Sequence, residues 1–160
     1  MLPPSSHPVP FRQVAALPWR RRDGVVEVLL VTTRETRRWT IPKGWPIKGL
    51  SKRASAAREA EEEAGVVGTV AEKPIGTFTY WKRRDTRFDL VRVDVFPLEV
   101  TRLRKRFKEK AERQQKWAAL EDAATAVEEP ELATLLRGLD RKSTRLNSSH
   151  EWISRMPSSA

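Results

Sequence analysis

The chain of 160 residues contains no cysteine, one tyrosine, two methionines and seven glycines. Without cysteine there are no disulfides, no thiolate metal sites and no cysteine nucleophile, and the composition fits a reducing compartment. Long apolar runs are also missing. The longest, Val25 to Val31, is interrupted by Glu27 and is too short to span a bilayer. The opening MLPPSSHPVP has neither a basic nor an apolar region of the secretory kind, and its prolines and serines predict a disordered leader over residues 1–10. A cytoplasmic location is expected. What is present is charge: 32% of residues are charged and 39% hydrophobic, with a formal net charge of +10, as in a soluble globular domain. The length fits one domain with a real core. No internal repeat is visible, and the sequence leaves the oligomeric state open.

The last 21 residues, DRKSTRLNSSHEWISRMPSSA, differ from the rest in being rich in serine and arginine without hydrophobic period. They resemble the translation of a sequencing-library adapter. Asp140 to Ala160 is therefore set aside as a non-native tail, with the native protein expected to continue past Leu139. Residues 1–139 then carry 27 basic and 19 acidic residues, a formal +8.

Within 11–139 the pattern alternates strands and helices. Phe11 to Leu17 reads as an edge strand, Gly24 as a hairpin turn and Val25 to Val31 as a buried strand. Trp39 to Ile41 is a short strand ended by Pro42, and Lys43 to Leu50 a loop. Ser51 caps a helix that runs to Ala64 and stops at Gly65. Ile75 to Lys82 and Phe88 to Val100 have strand composition, and Val91, Val93 and Val95 form one apolar face. Lys110 to Lys116 reads as loop or a single turn. Glu121 to Val127 and Pro130 to Leu139 read as helices, the second with a stripe of Leu132, Leu135, Leu136 and Leu139. Strands on both sides of a long helix, with helices at the end, predict an α/β sandwich.

The segment REAEEEAGV, Arg58 to Val66, concentrates negative charge. At about 100° per residue, Glu59, Glu62 and Glu63 share one helix face and Glu61 falls opposite, as a solvated charge. Ala57, Ala60 and Ala64 form a neighbouring stripe that allows close approach to a sheet. Like charges at this spacing repel by about 0.2–0.5 kcal/mol per pair, so a counter-charge is needed. Hard divalent cations such as Mg²⁺ take oxygen ligands and share their shell with substrate phosphates. Arg58 can pair with one glutamate when no metal is bound. The bland alternative is a solvated acidic face with basic partners along the helix.

The surrounding residues favour the site. Gly44, followed by Arg58-Glu59-Ala60-Glu61-Glu62-Glu63-Ala64-Gly65-Val66, resembles the Nudix box G-x5-E-x7-R-E-U-x-E-E-x-G-U, where U is a bulky aliphatic. Two positions depart from it. Ala60 is small for U, and Leu50 stands where the box has its first glutamate, which bears on loop stabilisation more than on metal binding. Arg38-Trp39-Thr40-Ile41-Pro42-Lys43-Gly44 is similar to the W-x-x-P-K-G entry of the diphosphoinositol-polyphosphate and diadenosine-polyphosphate branch.

The resemblance covers about Phe11 to Leu139. It implies a Nudix α/β/α sandwich with a mixed sheet, and a hydrolase of diphosphate linkages. It implies Glu59, Glu62 and Glu63 as ligands of Mg²⁺ or Mn²⁺, with Arg58 in the catalytic set and Arg38, Lys43, Gly44 and Arg113 at the substrate. The catalytic base is not assigned. The implied partner is a polyphosphorylated small molecule, which the excess of arginine and lysine suits.

Other readings stay open. One is a pyrophosphatase of ADP-ribose or a nucleotide sugar. Another is a non-catalytic nucleotide or nucleic-acid binding module; the three intact glutamates disfavour nucleic acid as partner. The run Arg102 to Lys108 is read mainly as solvated surface. Trp45 either stacks on a base or anchors its loop. Trp81 is a weaker substrate candidate, and Trp39 and Trp117 are expected in the core.

Overall fold

The computed structural model describes residues 10–145. Residues 1–9 of the expected leader and residues 146–160 lie outside the described residues. The chain runs β1 (Phe11–Arg22), β2 (Val25–Thr32), β3 (Trp39–Thr40), β4 (Lys43–Gly44), α1 (Lys52–Ala64) and β5 (Val66–Val70). It continues with β6 (Gly76–Arg83), β7 (Phe88–Leu103), a single 3-10 turn (Lys110–Glu112), β8 (Gln115–Ala119), α2 (Leu120–Ala126) and α3 (Pro130–Arg145).

The strands form one mixed sheet in the order β3-β2-β1-β7-β5, with β4 on β1, β6 on β7 and β8 on β2. The β1–β7 pair is parallel, with Val14 opposite Asp94 and Leu17 opposite Pro97. The named strand pairs otherwise run antiparallel. Asp23 and Gly24, at φ 51° and 79°, make the tight β1–β2 turn that needs two left-handed residues.

Helices cover both faces of the sheet. On one, Ala56, Ala60 and Ala64 of α1 lie against Val14, Ala16, Leu29 and Val31. On the other, Leu132, Leu136 and Leu139 of α3 and Ala123 and Ala124 of α2 cover Leu17, Val28, Leu30 and Val93. This is the expected α/β/α arrangement. The alanines bring the α1 backbone close to the sheet; a larger residue at Ala60 would overpack it, at a cost of about 1–3 kcal/mol.

Several local expectations change. β1 is central rather than at an edge. It lies between β2 and β7 and is buried from Gln13 to Trp19, with both faces covered, so it lacks the polar alternation of an exposed strand. β5 was not anticipated; it is short and broken by a bulge at Val67/Gly68. The polar run before Trp117 turns into strand at Gln115 because the edge of β2 is there to pair it, Gln115 opposite Val31 and Lys116 opposite Leu30. Trp39 and Trp117 are only partly buried, each with a cation over its ring, Lys116 at 4.5 Å and Arg20 at 4.0 Å. Helix α3 runs six residues past Leu139, because Asp140 to Arg145 holds no glycine or proline to end it.

Candidate functional site

Helix α1 is fixed at both ends. The Ser51 side chain accepts from the Ala54 N–H at 3.2 Å, and Gly65 closes the helix at φ 69° with its own N–H on the last carbonyls. The preceding loop is tied down by buried Ser55, whose Oγ accepts from the Ile47 N–H at 2.9 Å, and by the Leu50 N–H donating to Ile47 O at 3.0 Å. These bonds hold the loop without a glutamate at position 50.

Glu63 is buried beneath the helix, and Glu59 is partly buried beside it. The Glu63 carboxyl is pushed up to about 8, first by burial; Arg113 and Lys43 oppose the shift, and Glu59 adds to it. Glu59 is also raised, first by burial, while its bond to Glu63 lowers it. Burial thus raises both carboxyls, and Glu63 the more strongly because it is the more deeply buried of the two. Among the described residues, no three carboxylates converge tightly enough to share one ion as they stand.

Four neighbours complete the cluster. Gly44 lies so close to Glu59 that a Cβ there would sit 2.4 Å from its carboxyl carbon. The Lys43 N–H faces Glu63 Oε1 at 3.4 Å. Its ammonium reaches Glu129 at 3.7 Å, Thr40 Oγ1 at 3.3 Å and the Tyr80 ring at 5.1 Å. Arg113 is partly buried with every guanidinium nitrogen occupied: Nε on Glu109 at 2.7 Å, Nη1 on Thr32 O at 2.9 Å and Nη2 on Glu63 at 3.8 Å. Glu62 faces outward, with Lys108 Nζ at 3.7 Å.

The structure thus gathers Glu59, Glu63, Lys43, Gly44 and Arg113, while Glu62 of the same helix turns outward to Lys108. Arg113 contacts carboxylates rather than open space, so it positions Glu63 and Glu109. Arg38 lies apart at an exposed rim, 3.8 Å from Glu128. Arg58 makes no ion pair or side-chain hydrogen bond among the described residues, against the expectation that it neutralises a glutamate. That task falls to Arg113, Lys43 and Lys108, which reach in from other elements. Glu61 is not simply solvated; it is partly buried and paired with Arg104.

Sequence reasoning missed two carboxylates. Glu109 is buried, accepts from Arg113, and donates its N–H to Glu62 O at 2.9 Å. Its spacing of four from Arg113 is the available signal. Glu129 accepts from Thr40 Oγ1 at 3.0 Å through one oxygen, while the other is buried without a partner; only its place before Pro130 marks it. On the same side, Lys82 is held below its ordinary value, first by burial and then by Arg84, Lys43 and Arg34. Arg84 also stands 5.7 Å from the Trp45 ring, which meets Phe11 edge-on at 6.2 Å.

Comparison with known proteins decides the family: the model of the NUDIX domain matches residues 10–139. The chain belongs to the Nudix family. Its curated Nudix relatives include Nudix hydrolase 4 of Arabidopsis thaliana, 33% identical over 62% of this chain and 46% of that protein. Nudix hydrolase 21, chloroplastic, of the same plant is 34% identical over 71% of this chain and 58% of that protein. The chain thus spans about half the length of these relatives.

Solved Nudix structures share the fold. A Caenorhabditis elegans Ap4A hydrolase superposes with a TM-score of 0.60 at 24% identity, covering 87% of this chain and all of that one. The NUDIX domain of Shewanella oneidensis NrtR, crystallised with ADP ribose, gives 0.59 at 18% identity, covering 86% and 92%. No described helix is long and apolar enough to cross a membrane.

Proposed function

We propose that this Nudix chain is a metal-dependent hydrolase of phosphoanhydride bonds in a highly phosphorylated small molecule, a diphosphoinositol polyphosphate or a dinucleoside polyphosphate. The observation that carries the reading is buried Glu63 and partly buried Glu59 on one helix beside Gly44, whose missing Cβ leaves room for the Glu59 carboxylate. The donor set fits a hard divalent ion, Mg²⁺ or Mn²⁺, because it consists of carboxylate oxygens on one helix face. Glu59, Glu62 and Glu63 would hold it. When bound, such an ion neutralises phosphate charge and lowers the pKa of a bound water.

The other roles belong to the chain itself. Burial raises the Glu63 carboxyl, so a cation held there would compete with a proton. Gly44 leaves room for the Glu59 carboxylate. Arg113 and Glu109 fix Glu63 from behind, and Lys43 supplies positive charge at the box entry together with Lys82, Arg84 and Arg34. Lys43, Arg84 and Arg34 are each paired with a carboxylate, Glu129, Asp89 and Glu112, and a ligand with several phosphates would compete for them. The exposed Phe11–Trp45 pair next to Arg84 offers a ring surface and favours a dinucleoside polyphosphate of the two substrates. Arg38 serves as a rim contact. The lack of cysteine supports a cytoplasmic setting. The resemblance of Asp140 to Ala160 to a translated adapter is retained as the account of the tail, and resequencing the source gene tests it.

The deciding assay measures phosphoanhydride cleavage with and without Mg²⁺ on a diphosphoinositol polyphosphate, diadenosine polyphosphates and ADP-ribose, with Glu62→Gln alongside. Metal-dependent cleavage that the variant loses is expected. A folded protein that cleaves none of them refutes the reading and leaves a binding role.

A further inference from the structure

The segment after β7 is clamped over the C-terminal turn of α1. The Arg104 N–H donates to Gly65 O at 2.7 Å, and the Glu109 N–H to Glu62 O at 2.9 Å. Between these ties, the Phe107 ring packs where a Cβ on Gly65 would lie, within 2.3 Å of its nearest atom. The clamp encloses an open groove of about 410 Å³ lined by Arg58, Glu61, Glu62, Arg104, Arg106 and Lys108 around Phe107.

Charge in the groove is not balanced. Arg104 is engaged by Glu61, and Lys108 lies 3.7 Å from Glu62. Arg58 and Arg106 are exposed and have no ion pair or side-chain hydrogen bond among the described residues. Simple counter-charge to the acidic helix would not leave two arginines over. Glu62 both borders the groove and belongs to the acidic cluster of α1, so the groove opens beside the candidate metal site. An ion held by Glu62 would compete for the carboxylate that Lys108 now faces, leaving Lys108 for an anion.

We propose that this groove is a second phosphate subsite, in which Arg58, Arg106 and Lys108 take the phosphates of a polyphosphorylated substrate that lie away from the bond being cut. The assignment rests on the hydrolase reading above for the identity of the ligand, but not for the existence of the subsite. It also gives Arg58 a use that ion pairing within α1 does not.

The test is calorimetric binding of inorganic tripolyphosphate to the full chain in EDTA, so that no divalent ion bridges anion and protein. Arg106→Ser should weaken binding about tenfold, as expected for loss of a charge-assisted phosphate contact. Arg106→Lys should keep most of it. Lys73→Ser, with the same charge change at the opposite end of β5 from Gly65, should bind like the parent. Arg106 is exposed and unpartnered, so the variants should fold, which circular dichroism checks. If Arg106→Ser and Lys73→Ser bind alike, the subsite is refuted. In cleavage assays, Arg106→Ser should lower kcat/KM for diadenosine tetraphosphate relative to ADP-ribose. If neither compound is cleaved, the hydrolase reading falls while the calorimetry still decides the groove.

Discussion

Gly44→Ala separates the stability of this protein from the geometry of its acidic site. The new Cβ would stand 2.4 Å from the Glu59 carboxyl carbon and 2.5 Å and 2.8 Å from its oxygens. Ordinary contact needs about 3.5 Å, so the carboxylate must retreat by about 1 Å. The obstacle is the end of a flexible side chain, and moving it off its rotamer costs about 0.5–1.5 kcal/mol. The lost backbone freedom of the unfolded chain offsets about 0.4–1 kcal/mol of that. Net stability should change by less than about 1 kcal/mol, or about 2–4 °C in Tm. The effect on a bound cation should be far larger, because a ligand displaced by about 1 Å costs on the order of 100-fold in activity. The assay is a Mg²⁺ titration of cleavage rate next to a thermal melt. Glu59→Asp in the Gly44→Ala background shortens the side chain and should recover part of the loss. Wild-type metal dependence in Gly44→Ala, or a melt lowered by tens of degrees, would refute the argument.

Other substitutions read other parts of the structure. Gly68→Ala puts a Cβ 1.9 Å from the Glu99 carbonyl oxygen, where only backbone can give way. A loss of about 3 kcal/mol, or about 6–12 °C in Tm, is expected, and a smaller one would mean the β5 bulge can shift. Glu109→Ala leaves largely enclosed Arg113 with Glu63 as its remaining carboxylate and should cost about 3 kcal/mol in urea unfolding, whereas Arg38→Ala, exposed and loosely paired, should cost under about 0.5 kcal/mol. Glu63 ties stability to pH. Its folded value near 8 lies above its unfolded value near 4.5, so its contribution is full below about 4.5 and is lost as pH rises through 8. Melts in EDTA should fall over that window in the parent and less in Glu63→Gln. Mg²⁺ should raise the melt of the parent more at pH 9 than at pH 6, since a proton competes with the ion; equal shifts would argue that the ion binds elsewhere.

Much of this arrangement was legible in the chain because it is local. Ser51 and Gly65 mark the ends of α1 through capping chemistry, and the period of 3.6 places Glu59, Glu62 and Glu63 on one face with the alanines beside them. Alternation in Val91, Val93 and Val95 and the Asp23-Gly24 turn likewise depend on near neighbours only. Tertiary structure decided whatever depends on distant partners. β1 reads as an edge strand until β7 pairs with it from some 80 residues away. Gln115 and Lys116 are polar enough for a loop until the β2 edge takes their backbone bonds. Arg113 carries a charge that would suit any phosphate, and only packing turns it inward onto Glu63 and Glu109. The helix sequence sets which carboxylates stand together. Their burial, and with it the raised carboxyl values of Glu59 and Glu63, is set by the sheet and loops that close around them, because desolvation comes from every atom that excludes water and not from the neighbours in sequence.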